Sequence, residues 1–395
     1  MINLGVIGFG KRINDFVNNS LRQVDPNIKL AGIVDNDQFS VCNRLKTAGV
    51  EIPVFYANLE KMMSSGKIDA LLIGTNCDTH AQFAIEAAKY KVPLFLEKPV
   101  AINLKQAAAL ENAYEKSANQ VVVSFPLRVS PLCSVVKKHI DSGAIGTPEH
   151  ILGQSYVTYG LVYFEESYRN YDRTQGLFVQ KATHDLDYMS YLMGANIVRV
   201  SAMHTRGNVY GGREAAGLRC SECETSSTCL ESPKNRKLNS SSDHLDDHLC
   251  TFSVECGSPE LGMNEDSSSV LLEFSSGRHG VYTQVFFSRR DAKKRGAIIS
   301  GYHGTLSFDW DWKELKYVSH HSPYTNLIKE DLIVGQQHFG GDIKLAQNFI
   351  NVIHGKEKSN TPIWLGIQSI YACLAAKLSA EKGEFVKVRQ VGQVA

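Results

Sequence analysis

The chain has 395 residues, with 42 Lys and Arg against 41 Asp and Glu and a formal net charge of +1. That length predicts two domains, and the near-cancelled charge excludes a global field that would gather nucleic acid or an anionic membrane surface. No apolar run is read as membrane-spanning, and the first strand follows Met1 with no basic leader, which predicts a cytoplasmic protein. Of nine cysteines, Cys42, Cys77, Cys133 and Cys373 stand singly in apolar surroundings, as reduced core thiols do. In chain order, residues 1–124 alternate apolar strands (Leu4–Ile7, Leu30–Val34, Ala70–Gly74, Leu94–Leu96, Val121–Ser124) with helical periodicity, the pattern of a doubly wound parallel α/β sheet. Residues 125–395 form a second, α+β domain. A helix over Pro131–Ser142 stops at Gly143, a strand begins near His150, and a helix covers Phe178–Met193. Strands at Ser269–Phe274, Gly280–Phe287, Gly296–Ser300 and Thr305–Phe308 predict a large, mostly antiparallel sheet with one open face. Residues 207–266 are polar and Cys-rich and read as an insertion without a core of its own, and a last helix runs over Ile363–Lys382.

Gly8-Phe9-Gly10-Lys11-Arg12 follows the first strand, where glycines permit a tight turn and close approach of a pyrophosphate to a helix N-terminus. Ile13 stands where the full fingerprint has a third glycine, which predicts slightly wider packing of helix on strand. Asp35 ends the second strand, placed to accept from both ribose hydroxyls and to repel a 2′-phosphate, which favours NAD over NADP; Lys11 and Arg12 argue for a phosphate contact and keep NADP as the alternative. Thr75, Asn76 and His80 follow the Ala70–Gly74 strand and are expected to line the cofactor channel, with Asp78 or Thr79 capping the next helix. Glu97-Lys98-Pro99 closes the Leu94–Leu96 strand and brings a cation to the edge where cofactor and substrate meet.

These residues, with Arg128 followed by Ser130-Pro131, Ser142-Gly143-Ala144-Ile145-Gly146, and His184-Asp185-Leu186-Asp187, resemble the glucose-fructose oxidoreductase, inositol dehydrogenase and rhizopine-catabolism (Gfo/Idh/MocA) family over nearly the whole chain. The resemblance implies a Rossmann domain, a C-terminal α/β domain whose sheet forms homodimers or homotetramers, a nicotinamide cofactor held in part by Glu97, Lys98 and Arg128, and a sugar or polyol substrate. Oxidising a secondary alcohol needs a base for the hydroxyl proton and a cation for the developing alkoxide. His184 is the expected base and Lys98 the cation; Lys181, His184 and Tyr188 are spaced to share one helix face, which adds Lys181 as a catalytic candidate. Relatives often carry aspartate four residues before this histidine, whereas Gln180 stands here and does little for the charge of the ring.

Cys220, Cys223 and Cys229 lie in the insertion at a spacing that suits tetrahedral zinc, with Cys250 the expected fourth ligand ahead of Cys256, His244 and His248. The run Arg289-Arg290 and Lys293-Lys294-Arg295 reads as a solvated loop or, if it reaches the pocket, an anion contact. Asp342 reads as the N-cap of a helix from about Ile343, with His338 near a sugar site. Net hydride transfer is the leading expectation. Redox-neutral glycoside cleavage through transient oxidation is the enzymatic alternative, and nucleotide sensing without catalysis the third class.

Overall fold

The computed structural model describes residues 1–239, 247–253, 263–329 and 337–393. The chain forms two compact units, residues 1–138, 331–371 and 389–395 in the first and 139–330 with 372–388 in the second. The first unit thus extends past the expected boundary at residue 124 and takes back chain from the C-terminal third.

In the first unit a six-stranded sheet has the order β3-β2-β1-β4-β5-β6, with β1 Asn3–Ile7, β2 Lys29–Val34, β3 Val54–Phe55, β4 Ala70–Ile73, β5 Leu94–Leu96 and β6 Val121–Val123. All pairs are parallel. Three of the helices between strands begin where short polar side chains cap them: Asp37 accepts from Ser40 N–H, Asn58 from Lys61 N–H and Asn103 from Gln106 N–H. The late helix Gly341–Ile353 puts Leu345, Phe349 and Ile350 into the same core as Phe16 and Phe95, whose rings stack at 4.1 Å.

In the second unit a nine-stranded sheet has the order β14-β13-β12-β11-β7-β10-β9-β8-β15. Its strands are β7 Pro148–Tyr156, β8 Ile197–Thr205, β9 Ser267–Phe274, β10 His279–Val285, β11 Lys294–Gly301, β12 Gly304–Asp309, β13 Glu314–Ser319, β14 Thr325–Lys329 and β15 Val386–Lys387. Among the described residues, β7 and β10 are the pair that runs parallel in this sheet. Alternating burial along β9 and β8 leaves Leu271 and Met203 exposed on one face. The insertion does contribute to a core: its Tyr210 is fully buried among Phe164, Leu177 and Phe286.

The helix Ile363–Lys382 forms as expected, its residues to Tyr371 grouped with the first unit and those from Ala372 with the second. Contrary to the expectation that no run reaches spanning length, it is long and apolar enough to cross a bilayer, but 72% of its most apolar window is buried inside the protein, the mark of a core helix.

Candidate functional site

The strand order of the first sheet reverses between β1 and β4, and the loops after such strands border the crevice where open parallel sheets bind ligands. Gly8 has φ +78°, and a Cβ there would lie 2.7 Å from Thr75 Cα, so the turn requires glycine. A Cβ on Gly10 would meet nothing nearer than the Gly74 carbonyl at 4.0 Å, so this backbone faces open space. Gly10 is also the N-cap of helix Lys11–Phe16, and no side chain caps it; the first N–H groups and the positive dipole end remain for an anion. Asp35 accepts from Phe9 N–H at 2.7 Å and from Asp37 N–H at 2.8 Å, one bond to each carboxylate oxygen. A carboxylate offers about four acceptor sites, so each oxygen keeps one for a vicinal diol. The glycine turn, uncapped helix end and Asp35 fit a dinucleotide, and Lys11 is exposed beside them.

Ile13 does not widen the helix–strand packing as expected. A Cβ on Gly74 would lie 2.1 Å from Ile13 Cγ1, so the glycine absent at position 13 is supplied at the end of β4, and the isoleucine fills its space.

Arg12 is occupied by its own chain. Its Nε donates to Glu97 at 2.8 Å, its terminal nitrogens donate to both oxygens of Asp342 at 2.7 and 2.8 Å, and one also reaches Ser124 Oγ at 3.1 Å. These bonds replace the expected phosphate contact and lock the glycine turn to the Glu97 corner. Asp342 is therefore not an N-cap. Gly340 holds that position, and the Asp342 carboxylate takes Arg12 and His338 Nδ1, the latter at 2.9 Å. Burial alone would push the Asp342 carboxyl up, but His338 and Arg12 outweigh it and hold it well below the usual carboxylate range.

Thr75 is half-buried and Asn76 exposed after β4. Thr79 is the N-cap of helix His80–Ala87, yet its hydroxyl bonds Thr75 Oγ1 at 2.7 Å instead of a helix N–H. His80 departs from its expected place in the channel. It is buried, with Nδ1 2.8 Å from Pro99 O and Nε2 3.0 Å from Thr75 O, so it staples this loop to the Lys98-Pro99 corner. Burial lowers its proton affinity. Lys98 is half-buried, and Glu97 accepts from its backbone N–H at 3.3 Å. Cys77, within electrostatic reach of Lys98, has its thiol pushed up to about 11 by burial and is inert. Arg128 lies half-buried in the short helix Pro126–Val129.

In the second unit the expected helix over Phe178–Met193 is broken at Lys181 into Leu177–Gln180 and Ala182–Met193. The break sets Lys181 apart from His184 and Tyr188, which stay together in the second piece. Tyr188 is fully buried and donates to Gly296 O at 3.1 Å, a core contact. Lys181, also buried, turns instead to Tyr159, with Nζ 2.6 Å from the phenolic oxygen. His184 is 5% exposed. Beneath this group Arg295 donates to both oxygens of Asp185 at 3.2 and 3.1 Å, and Tyr282 donates to Asp185 at 3.0 Å. The basic run is thus only partly solvated, since Arg295 is buried here and Arg289 bonds Tyr210 at 2.8 Å and Glu231 at 3.1 Å. Tyr159 carried no sequence signal; only the fold joins it to Lys181.

The expected zinc site with Cys220, Cys223, Cys229 and Cys250 does not form: among the described residues no group of three or more His, Cys, Asp or Glu side chains is arranged to hold a metal ion. Cys220 faces His248 at 3.5 Å and Cys223 faces Thr225 at 3.2 Å, and burial pushes the Cys220 thiol up to about 12. Hydrogen bonds organise this segment instead: Cys220 N–H to His248 O, Cys250 N–H to Leu218 O, and a buried Arg236–Glu165 pair at 3.1 Å. Cys256 and His244 lie outside the described residues.

Residues 2–125 match a family model described as an oxidoreductase family with an NAD-binding Rossmann fold, and residues 134–307 match the GFO/IDH/MocA C-terminal domain. YteT of Bacillus subtilis is 26% identical over 63% of this chain and 61% of its own length. Myo-inositol 2-dehydrogenase of Thermotoga maritima is 27% identical over 50% of this chain and 57% of its own. The chain thus spans less than two thirds of these curated relatives. A levoglucosan dehydrogenase solved with NADH and levoglucosan superposes with TM-score 0.77 at 17% identity, covering 98% of this chain and all of that one, a likeness of fold. With the glycine turn over Asp35, the Glu97-Lys98-Pro99 corner and both family models in register along the sequence, this chain belongs to the Gfo/Idh/MocA family.

Proposed function

We propose that the protein is an NAD-dependent dehydrogenase that oxidises a hydroxyl of a sugar or polyol. The observation that carries this reading is the open backbone at Gly10 beside Asp35, whose carboxylate is held by Phe9 N–H while each oxygen keeps acceptor capacity. Gly8, Phe9, Gly10, Asp35, Thr75 and Asn76 would hold the dinucleotide, with Lys11 exposed for its phosphates, and Asp35 favours NAD over NADP by repelling a 2′-phosphate. Arg128 is half-buried and remains a candidate contact; Arg12, Glu97 and His80 fix the surrounding loops. Bound NAD supplies the hydride acceptor.

The chain's own residues do the rest. Lys98 places a positive charge at the end of β5 that stabilises a developing alkoxide. Lys181 and His184 in the second unit are the candidates for handling the hydroxyl proton. The inositol dehydrogenases among the relatives support net oxidation over redox-neutral glycoside cleavage. The open face of the nine-stranded sheet, where Met203 is 80% exposed and Leu271 49%, supports a homodimer or homotetramer. The free thiols of Cys42, Cys77, Cys220, Cys223 and Cys229 support a reducing, cytoplasmic setting. Lys98→Met tests the mechanism: it should retain NAD affinity by calorimetry and lose turnover with myo-inositol or levoglucosan, and unimpaired turnover would remove Lys98 from the reaction.

A further inference from the structure

A proton acceptor must be reached by its substrate and yet be held in one geometry and one protonation state. His184 meets the first requirement poorly here, because it is only 5% exposed. Tyr159 meets both. It lies three residues beyond β7, and 46% of its surface is exposed. Its hydroxyl sits 2.6 Å from Nζ of Lys181, which is only 3% exposed. A tyrosine whose ring is partly at the surface, and whose oxygen is bonded to a buried lysine amine, is a preformed acid–base pair.

The backbone that carries it is fixed. Val157 N–H donates to Val285 O at 2.8 Å. A Cβ on the next residue but two, Gly160, would lie 1.7 Å from Phe286 O, so the chain must pass against the residue that follows β10. We infer that Tyr159 is the catalytic acid–base group of the proposed dehydrogenase and that Lys181 is its positioning residue. This inference rests on the dehydrogenase reading and replaces His184 in the proton-accepting role. In the forward direction the substrate O–H bond breaks and its proton passes to the Tyr159 oxygen. The C–H electron pair leaves as hydride for NAD, the oxidant, and the carbon–oxygen double bond forms.

The charges around the pair are consistent with this assignment. Facing Tyr159 are Lys181, Arg295 from β11, Asp185 and Tyr163; Lys181 also feels Asp311 beyond β12. Burial alone would raise the phenol, but Lys181 and Arg295 outweigh it and lower its pKa. Burial and Arg295 also lower that of Lys181.

The test is an ultraviolet difference titration of tyrosinate in the full chain, wild type against Tyr159→Phe, which needs no substrate. The expected result is one tyrosine ionising below the ordinary phenol range in wild type, absent in Tyr159→Phe and moved upward in Lys181→Met. Alongside it, kcat/KM with NAD and myo-inositol should rise with pH through the same ionisation, and Tyr159→Phe should lose that limb with a fall of about 10²–10⁴-fold. A ring that merely stacks on sugar would leave the Phe variant near wild type, and that result, an ordinary Tyr159 ionisation, or a pH limb that follows His184→Ala instead would each overturn the assignment. The two readings fail separately: low Tyr159 ionisation without NADH from any polyol sinks the dehydrogenase, whereas NADH formation with an ordinary Tyr159 sinks this role. Lys181→Met keeps the test decisive if Tyr159→Phe does not fold.

Discussion

Substituting Gly74 by alanine tests whether Ile13 and Gly74 together set the glycine turn. The added methyl would lie 2.1 Å from Ile13 Cγ1 and 2.6 Å from Cδ1. Cγ1 sits next to the branch point of a side chain with stiff χ1, and Ile13 is fully buried, so the clash is not relieved by swinging a flexible end away. Relief requires moving helix Lys11–Phe16 off β4, at the upper end of the ~1–3 kcal/mol typical of overpacking. That movement carries the Gly10 backbone with it, so NAD affinity should fall as well. Ile13→Ala alone should cost about 2–5 kcal/mol through the cavity it leaves. In its background Gly74→Ala should cost almost nothing, a coupling of roughly 1–3 kcal/mol. Urea midpoints and NAD titrations of the four proteins of the cycle measure this. An equal loss from Gly74→Ala in both backgrounds would refute the argument, since it would mean that Ile13 does not occupy the space opposite the glycine.

Asp35→Ser should weaken NAD and relax discrimination against NADP, checked by titrating both nucleotides; unchanged selectivity would remove Asp35 from ribose recognition. Arg12→Met leaves Glu97 and Asp342 without their guanidinium and should lower the stability of the first unit by about 3–5 kcal/mol, read from thermal unfolding. Because the Asp342 carboxyl is depressed in the folded chain, its contribution is present above the unfolded value of about 3.9 and is lost as pH falls below that toward the folded value. Asp342→Asn should flatten this acid limb, and an unchanged limb would place the dependence elsewhere.

The sheet of the first unit was legible because most of its strands carry short apolar runs, as in Ala70–Ile73, Leu94–Leu96 and Val121–Val123. The edge strand β3, two residues long, and the half-exposed β8, β13 and β14 have no such run. Contacts of long sequence separation were invisible for a different reason. Nothing near Arg12 announces Asp342, and nothing near Ile13 announces Gly74, although each pair decides how the cofactor turn is held. Helical spacing grouped Lys181 with Tyr188; the break at Lys181 redirected the amine to Tyr159, which belongs to no motif. The cysteine spacing suited zinc, but among the described residues no such group is arranged to hold a metal ion, and backbone hydrogen bonds join residues 218–220 to 248–250.

The most direct test of the central claim is the stoichiometry of turnover. The purified protein is incubated with NAD and a panel of myo-inositol, scyllo-inositol and levoglucosan, with NADH followed by absorbance and the organic product by mass spectrometry. The account predicts one NADH for each hydroxyl converted to a carbonyl, and loss of both in Lys98→Met. Conversion of a sugar derivative with no NADH released would contradict it.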